Sequence, residues 1–204
     1  MTSPAVSGFL QGPRLALRAV QPEDAAALAA WMADEEVTYF MFTGQRPLTE
    51  ARVAEDLQRT VDDARNAVFM VVERETGRTI GTAGLYDAHP TALKAEFRVL
   101  LGDKMCWNRG YGTEVTELLL FYGFDRLNLN KIWLGVIAEN AGAHHAYLKA
   151  GFREEGRLRE ELYRNSRYYD AIRMSVLRAE YYPDMHRAHA KIFQPLALLK
   201  VTRE

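Results

Sequence analysis

Two glycines separated by one residue, Gly110 and Gly112, lie between a strand-like run and a helix-like run of the chain. Glycine lets the backbone come close to a ligand, and a helix N-terminus presents unpaired N–H groups with partial positive charge. Such a loop fits a phosphate or a pyrophosphate. The segment lacks the Gly-Lys-Ser/Thr ending of a Walker loop and is not a complete dinucleotide fingerprint. By itself, this pair of glycines is also compatible with an ordinary turn.

A second segment, about thirty residues further on, carries polar and aromatic residues at a distinctive spacing. Asn140 is followed by Tyr147, Lys149, Gly151 and Phe152, in the order Asn-x6-Tyr-x-Lys-x-Gly-Phe. Together with the Gly-x-Gly loop, this segment resembles the GNAT superfamily of acyl-CoA-dependent N-acyltransferases. Shorter matches resemble its branch of ribosomal-protein N-terminal acetyltransferases and spermidine acetyltransferases. These matches lie at residues 95–96, 102–104, 110–114, 127–132, 155–159 and 168–170, within a resemblance that spans 14–182.

The resemblance implies that acetyl-CoA is the co-substrate and that no metal is needed. The family loop is often Gln/Arg-x-x-Gly-x-Gly/Ala, whereas this chain begins it with Trp107. Backbone amides of the loop should hold the pyrophosphate, so the change of side chain matters little for the cofactor. The strand near 96–101 should part from the strand near 131–138 and admit the pantetheine arm. The residues expected at the cofactor are Leu100, Leu101, Trp107, Asn108, Arg109, Gly110, Tyr111, Gly112, Thr113 and Asn140.

Acetyl transfer to an amine requires a base, donors for an oxyanion and an acid. A lysine-like amine has a pKa of about 10.4 and is mostly protonated at pH 7, so a carboxylate must take its proton. The resemblance nominates Glu96 as this base, and a structural salt bridge is the alternative interpretation. A backbone N–H near Leu100–Leu101 should stabilise the oxyanion. The family match implies that Tyr147 protonates the departing thiolate, with a core aromatic as the alternative.

A β-sheet with flanking helices must position these residues. Apolar alternation and turn residues predict a single α+β domain, whose mixed and mostly antiparallel central sheet is splayed at its middle strands. Helices are expected on both faces, as in the acyl-CoA N-acyltransferase fold. Strands are expected over residues 14–20, 68–73, 79–86, 96–101, 131–137, 158–163 and 169–177. Helices are expected from residue 22, after Thr49, over 111–127 and after Asn140, with Gly151 as the last helix's C-terminal cap.

Length and composition limit the class of protein. With 204 residues, the chain fits one domain, which we place at 14–182, after a loosely ordered segment 1–13 and before a helical extension or tail 183–204. The 26 basic and 27 acidic residues give a net charge of −1, which is no footprint for nucleic-acid binding. No apolar run reaches the roughly 18 residues of a membrane-spanning helix. The single Cys106 and the lack of a signal-peptide pattern predict a cytoplasmic protein.

The sequence therefore predicts a cytoplasmic acetyltransferase that moves acetyl from acetyl-CoA to a primary amine by direct attack. The acceptor is left open between a protein N-terminus, a polyamine, an aminosugar and an antibiotic. A non-catalytic acyl-CoA sensor is one alternative, and a protein-interaction module that uses the aromatic loop 39–42 and the tail is another. The apolar residues of the tail predict packing on the domain or on a second subunit in a homodimer. His144 and His145 are adjacent, so they point in different directions on a helix and cannot both face one metal ion. His186 and His189 share a helix face but have no apparent third ligand, so solvated histidines are expected there.

Overall fold

A single eight-stranded sheet forms the frame of the computed structural model, which describes residues 8–182. The strand order across the sheet is β1-β2-β3-β4-β5-β6-β8-β7. The strands are β1 (Leu10–Gln11), β2 (Leu15–Ala19), β3 (Ala67–Glu73), β4 (Thr79–His89), β5 (Lys94–Leu101), β6 (Lys131–Ile137), β7 (Arg153–Arg164) and β8 (Arg167–Leu177). The helices are α1 (Asp24–Ala33), α2 (Glu35–Thr38), α3 (Glu50–Asp62), α4 (Tyr111–Phe121) and α5 (Ala141–Lys149).

The sheet is split at its middle, as predicted. Strands β5 and β6 are parallel, whereas all the other neighbouring pairs within residues 8–182 are antiparallel. Their pairing runs from Lys94–Lys131 to Glu96–Trp133 and goes no further. Beyond that point, β5 stays paired with β4 and β6 stays paired with β8, so the two half-sheets diverge. The splayed, mixed and mostly antiparallel sheet is therefore confirmed.

Helices cover both faces of the sheet, which also confirms the prediction. Side chains alternate between faces along a strand. Leu134 belongs to the main core together with Leu118 of α4, so α4 covers this face. The next residue, Gly135, faces the opposite side, where the ring of Phe42 lies 3.9 Å from the position a β-carbon would take. We call these two sides the α4 face and the α1 face, because α1 packs on the second side through Trp31, which lies against Gly102.

Most predicted elements are found, with differences at their ends. The helix expected over 111–127 is α-helical only to Phe121, and a π-helical turn follows over Tyr122–Arg126. This wider turn brings Gly123 against the side chain of Ile132, where a β-carbon would come within 2.5 Å. Leu10, inside the segment expected to be loose, is buried and pairs with Leu17 as an edge strand. The tail 183–204 lies outside the described residues.

Candidate active site

The divergence of β5 and β6 opens a cleft of about 1580 Å³. Its walls are the free ends of the two strands, the N-terminal end of α4, one side of α5 and the loop after α2. Eleven of the twelve predicted site residues line it: Glu96, Leu100, Leu101, Trp107, Asn108, Gly110, Tyr111, Gly112, Thr113, Asn140 and Tyr147. The exception is Arg109. The topology therefore brings together residues that are up to about fifty positions apart in the sequence.

The loop before α4 has a backbone shape that depends on two residues. Gly110 has a φ of +78° and Asn108 a φ of +58°, which are left-handed values that glycine adopts freely and asparagine tolerates. Trp107 fixes the loop to the end of β5, because its indole Nε1 donates a hydrogen bond of 2.7 Å to the carbonyl of Leu101. The unusual Trp107 thus anchors the loop.

The first turn of α4 presents backbone donors to the cleft. Gly110 precedes the helix and has no side chain that could accept the N–H groups of Tyr111, Gly112 and Thr113. The first intrahelical bond in the α4 register runs from Glu114 N to the Gly110 carbonyl, at 3.2 Å. These free donors lie at the positive end of the helix dipole, so they can bind an anion. A β-carbon at Gly112 would lie 4.0 Å from Leu101, so this position stays open toward the cleft.

Arg109 points away from the cleft and into a structural network. Its Nη1 lies 3.4 Å from Oε1 of Glu73, and its carbonyl accepts a hydrogen bond from Arg14. Glu73, which the sequence analysis did not single out, is only 4% exposed and also accepts a 2.6 Å hydrogen bond from the Tyr111 hydroxyl. This bond, followed by that from Thr76, lowers the pKa of Glu73. The network fixes the far side of the loop.

Tyr147 lies on α5, at the α4 face of the cleft. Asn140 begins this helix by accepting the N–H of Ala143 with its Oδ1 at 3.2 Å, and it also lines the cleft. The Tyr147 ring packs edge-on against Phe97, with ring centres 5.9 Å apart, and touches Phe152. Burial raises the pKa of the Tyr147 hydroxyl. That hydroxyl makes no hydrogen bond to any residue within 8–182, so it is a protonated donor without a protein acceptor.

Glu96 lies on the other face of β5. Phe97 contacts Tyr147, and strand alternation therefore turns Glu96 toward the α1 face. Its Oε2 accepts a 2.6 Å hydrogen bond from Nη2 of Arg98. The Arg98 guanidinium also stacks over Tyr86, at 4.6 Å from the ring centre, and this contact and the carboxylate fix its position. Glu96 and Tyr147 therefore reach the cleft from opposite sides of the sheet.

Two further cleft residues, Trp133 and Arg173, were not found from the sequence. The guanidinium carbon of Arg173 lies 3.9 Å from the centre of the Trp133 indole, and both side chains line the cleft. The alternation of side chains along β6 and β8 tells which face of the sheet each residue occupies. It could not reveal that Trp133 and Arg173 meet, because the sheet places β8, and not β7, next to β6.

Cys106 and His144 are bound to other side chains of the protein. Cys106 is a free, fully buried thiol whose pKa is raised by burial, and Arg78 donates to its sulfur at 3.6 Å. His144 pairs with Glu154 at 2.7 Å, whereas the neighbouring His145 lines the cleft. Within residues 8–182, no three His, Cys, Asp or Glu side chains are grouped so that they could hold a metal ion. In the same part of the chain, no helix has the length and apolar character needed to cross a membrane.

Comparisons with known proteins agree with this geometry. Residues 14–153 match the family described as the acetyltransferase (GNAT) domain. The uncharacterized N-acetyltransferase p20 of Bacillus licheniformis is 32% identical over 172 residues, which cover 82% of this chain and 95% of the relative. Spermidine N(1)-acetyltransferase of Vibrio cholerae is 37% identical over 111 residues, which cover 54% of this chain and 64% of that relative.

A solved structure extends the likeness to three dimensions. The crystal structure of spermidine N-acetyltransferase from Vibrio cholerae, in complex with CoA and spermine, superimposes with a TM-score of 0.76 at 29% identity. The superposition covers 82% of this chain and 98% of the other. The expected resemblance, including that to the spermidine acetyltransferases, is confirmed. The chain therefore belongs to the GNAT acetyltransferase family, and it is an N-acetyltransferase that transfers acetyl from acetyl-CoA to an amine.

Proposed function

We propose that the acetyl group passes directly to a primary amine inside the β5–β6 cleft, with Glu96 as the base and Tyr147 as the acid. The observation that supports this assignment best is their placement on opposite faces of β5 at the point where the sheet splits. A thioester that entered between the strands would have one group on each side. The amine would approach from the α1 face, and the sulfur would leave toward the α4 face.

The cofactor would be held mainly by backbone groups. The N–H groups at the start of α4, from Gly110 to Thr113, suit the pyrophosphate because they are unpaired and carry the positive end of the helix dipole. Beyond Glu96, the edge of β5 that is not paired with β6 offers N–H groups to the pantetheine arm and to the oxyanion. Because N–H groups alternate between the two edges of a strand, Leu101 offers its N–H at this edge, whereas that of Leu100 is directed at β4. Asn140 uses its Oδ1 as a helix cap, and its amide N–H groups can donate to the pantetheine.

The reaction would proceed through one tetrahedral intermediate. Glu96 takes a proton from the ammonium group, directly or through a water, and the neutral amine then forms a bond to the thioester carbon. The carbon–sulfur bond breaks as the intermediate collapses, and the electron pair goes to sulfur. The Tyr147 hydroxyl then supplies a proton to sulfur, since its raised pKa keeps it protonated at neutral pH. The attacking nitrogen loses its second proton to solvent as the amide forms, and Tyr147 regains its own proton from solvent. The products are an acetylated amine and free CoA.

The acceptor would be a small-molecule amine or a protein N-terminus, and polyamines belong among the candidates because named relatives are spermidine acetyltransferases.

We also propose a cytoplasmic location, which the single free thiol of Cys106 supports. A homodimer stays a prediction, based on the apolar sequence of residues 183–204. The mass in solution of the full chain and of a chain ending at Tyr182 would test it.

An assay of free CoA release over a panel of amines tests the proposed function. At least one primary amine should release CoA well above the rate of acetyl-CoA hydrolysis. Glu96→Gln should slow the transfer by about 10²–10⁴-fold, because proton removal is lost. The dissociation constant for acetyl-CoA should stay unchanged, because Glu96 is not among the groups proposed to hold the cofactor. Glu75→Gln is the matched control, since Glu75 is exposed in the β3–β4 turn and outside the cleft.

Two outcomes would contradict the proposal at different points. If no amine releases CoA, direct transfer in this cleft is wrong. If Glu96→Gln transfers acetyl as fast as Glu75→Gln does, Glu96 serves only as the partner of Arg98.

A further inference from the structure

Arg173 is a cationic group in the cleft that the transfer step does not use. Within residues 8–182, its side chain makes no hydrogen bond and no ion pair, and its Nε is buried without a partner. A buried donor without an acceptor is destabilising, so such groups in folded proteins usually have a partner. Arg173 also lines the cleft, where a bound molecule could reach its terminal nitrogens.

The charged neighbours of Arg173 are already engaged. Glu155 is the acid whose pKa the Arg173 charge helps to lower, but it is bound by Lys131 Nζ at 2.5 Å and by Ser175 Oγ at 2.7 Å. Arg98, the other guanidinium of the cleft, is held by Glu96. Arg173 is therefore the guanidinium of the cleft that is left for a ligand.

Stacking prepares Arg173 to bind a planar anion. The centre of the Trp133 indole lies 3.9 Å from the guanidinium carbon of Arg173, and this stacking limits the orientations of the planar guanidinium group. A guanidinium held flat in this way can present its terminal nitrogens to both oxygens of a carboxylate. A guanidinium group whose orientation is already fixed loses less conformational entropy on binding than that of a freely rotating side chain does.

The register places Arg173 at a useful distance from the base. Glu96 is opposite Trp133 across the β5–β6 pair, and Gly135 is opposite Arg173 across the β6–β8 pair, all on the α1 face. Two strand spacings across the sheet and two residues along β6 make the backbone separation of Glu96 and Arg173 roughly 12 Å. Gly135 adds no side chain to this stretch of the cleft wall, where the ring of Phe42 lies 3.9 Å from the position a β-carbon would take. One small acceptor molecule can therefore span both groups.

We propose that the acceptor amine carries a carboxylate that binds Arg173, so that the enzyme prefers amino carboxylates to polyamines. This inference rests on the proposed transfer at Glu96 and adds the class of acceptor. A single negative charge fits better than a phosphate dianion, because one guanidinium is available and Glu161 lines the same cleft. A polyamine would instead bring a second positive charge toward Arg173, which opposes its binding.

Matched pairs of acceptors test the proposal. The pairs are ω-amino carboxylates of one to five methylene groups and the corresponding ω-amino amides, with spermidine in parallel and CoA release as the readout. At the chain length that spans the site, kcat/KM should be at least tenfold higher for the carboxylate than for its amide and than for spermidine. The amide keeps the reacting amine and the size of the molecule, so the ratio isolates the charge.

Variants connect the preference to the residue. Arg173→Gln should reduce the carboxylate-to-amide ratio to within about twofold, whatever its effect on the absolute rate. Arg167→Gln is the matched control. Like Arg173, Arg167 is an arginine of β8 that stacks on an aromatic ring, in its case that of Tyr169 at 4.7 Å, but it does not line the cleft. Equal melting temperatures of the two variants would show that any loss is not caused by unfolding.

The outcomes separate the two proposals. Transfer to amides without a carboxylate preference at any chain length, a preference that survives Arg173→Gln, or a higher kcat/KM with spermidine would each overturn the Arg173 assignment alone. If other amines of the wider panel release CoA but none of this set does, the Arg173 assignment alone fails. If no amine of the panel or of this set releases CoA, the proposed function fails and this inference fails with it.

Discussion

At the scale of single residues, packing gives Tyr147 the protonation state that the proposed acid needs. Its ring is held between Phe97 and Phe152, which are apolar neighbours that cannot stabilise a phenolate. Desolvation therefore raises the pKa of the hydroxyl, and the group is a neutral donor over the whole physiological range. A neutral donor beside the cleft is what a departing thiolate requires.

The first prediction removes only this hydroxyl. Tyr147→Phe keeps the ring contacts, so folding and the dissociation constant for acetyl-CoA should change little. The rate of acetyl transfer in a single turnover should fall by about 10²–10⁴-fold, because proton delivery to sulfur is lost. Tyr163→Phe is the control, since Tyr163 is half exposed on β7 and outside the cleft. A nearly normal rate in the folded variant would reduce Tyr147 to a packing residue.

The sequence identified the cleft residues that lie in family motifs, but not the residues that pack around them. The resemblance supplied Glu96, Tyr147 and the loop because those residues lie in continuous motifs. Arg173 and Glu73 lie outside those motifs, and their relevance depends on which strands become neighbours. Whether a side chain is engaged, as Arg98 is with Glu96, is decided by contacts in three dimensions. Alternation along a strand cannot supply that information.

At the scale of elements, the predicted strands and helices are largely found because their signals are local. The turns, the caps at Thr49 and Asn140 and the end at Gly151 all use short-range chemistry. The π-helical turn after Phe121 could not be predicted, since its apolar residues also fit a continuing α-helix. Its cause is tertiary: Gly123 packs against a neighbouring strand at a distance that a side chain would not allow.

The second prediction concerns the start of α4. Gly110→Ala places a β-carbon at a left-handed φ of +78°, although the nearest atom, Nη2 of Arg14, would be 3.5 Å away. Backbone strain, not a clash, should therefore lower the free energy of unfolding by about 1–2 kcal/mol. The dissociation constant for acetyl-CoA should rise several-fold as the loop relaxes. Gly156→Ala, with nothing within 4 Å and no positive φ, should change neither quantity; equal effects of the two changes would contradict the prediction.

The third prediction concerns the Glu73 network behind the loop. The hydrogen bonds from Tyr111 and Thr76 put the pKa of Glu73 in the folded state below its unfolded value. The stabilisation is therefore present above the ordinary glutamate pKa of about 4.3 and is lost as the pH falls through the lower folded value. Glu73→Gln should destabilise the protein by about 1.5–3 kcal/mol at pH 7 and by less at pH 3.

Denaturant unfolding of both proteins at several pH values measures this difference. Glu75→Gln, in the same turn but exposed, should behave like the unsubstituted protein at every pH. A stability difference between Glu73→Gln and the unsubstituted protein that stays constant from pH 7 to pH 3 would show that the carboxylate charge is not the source of the stabilisation.

At the scale of the whole molecule, the sheet is two half-sheets joined by a short seam. Three residue pairs, from Lys94–Lys131 to Glu96–Trp133, connect β5 and β6, and the cleft takes up the rest of that boundary. A ligand in the cleft would contact both halves at once. Binding that favours the folded state stabilises it by mass action, so the cofactor should act as a cross-link between the halves.

The last prediction measures this cross-link. Acetyl-CoA at one hundred times its dissociation constant should stabilise the protein by about 2.7 kcal/mol, which for a chain of this size raises Tm by roughly 5–10 °C. Adenosine diphosphate offers the pyrophosphate without the pantetheine, so it occupies the α4 end and leaves the seam open. It should therefore bind more weakly and, at the same concentration, give a clearly smaller shift. Equal shifts from the two ligands would mean that the pantetheine adds nothing between β5 and β6, and an unchanged Tm at saturating acetyl-CoA would contradict binding in this cleft altogether.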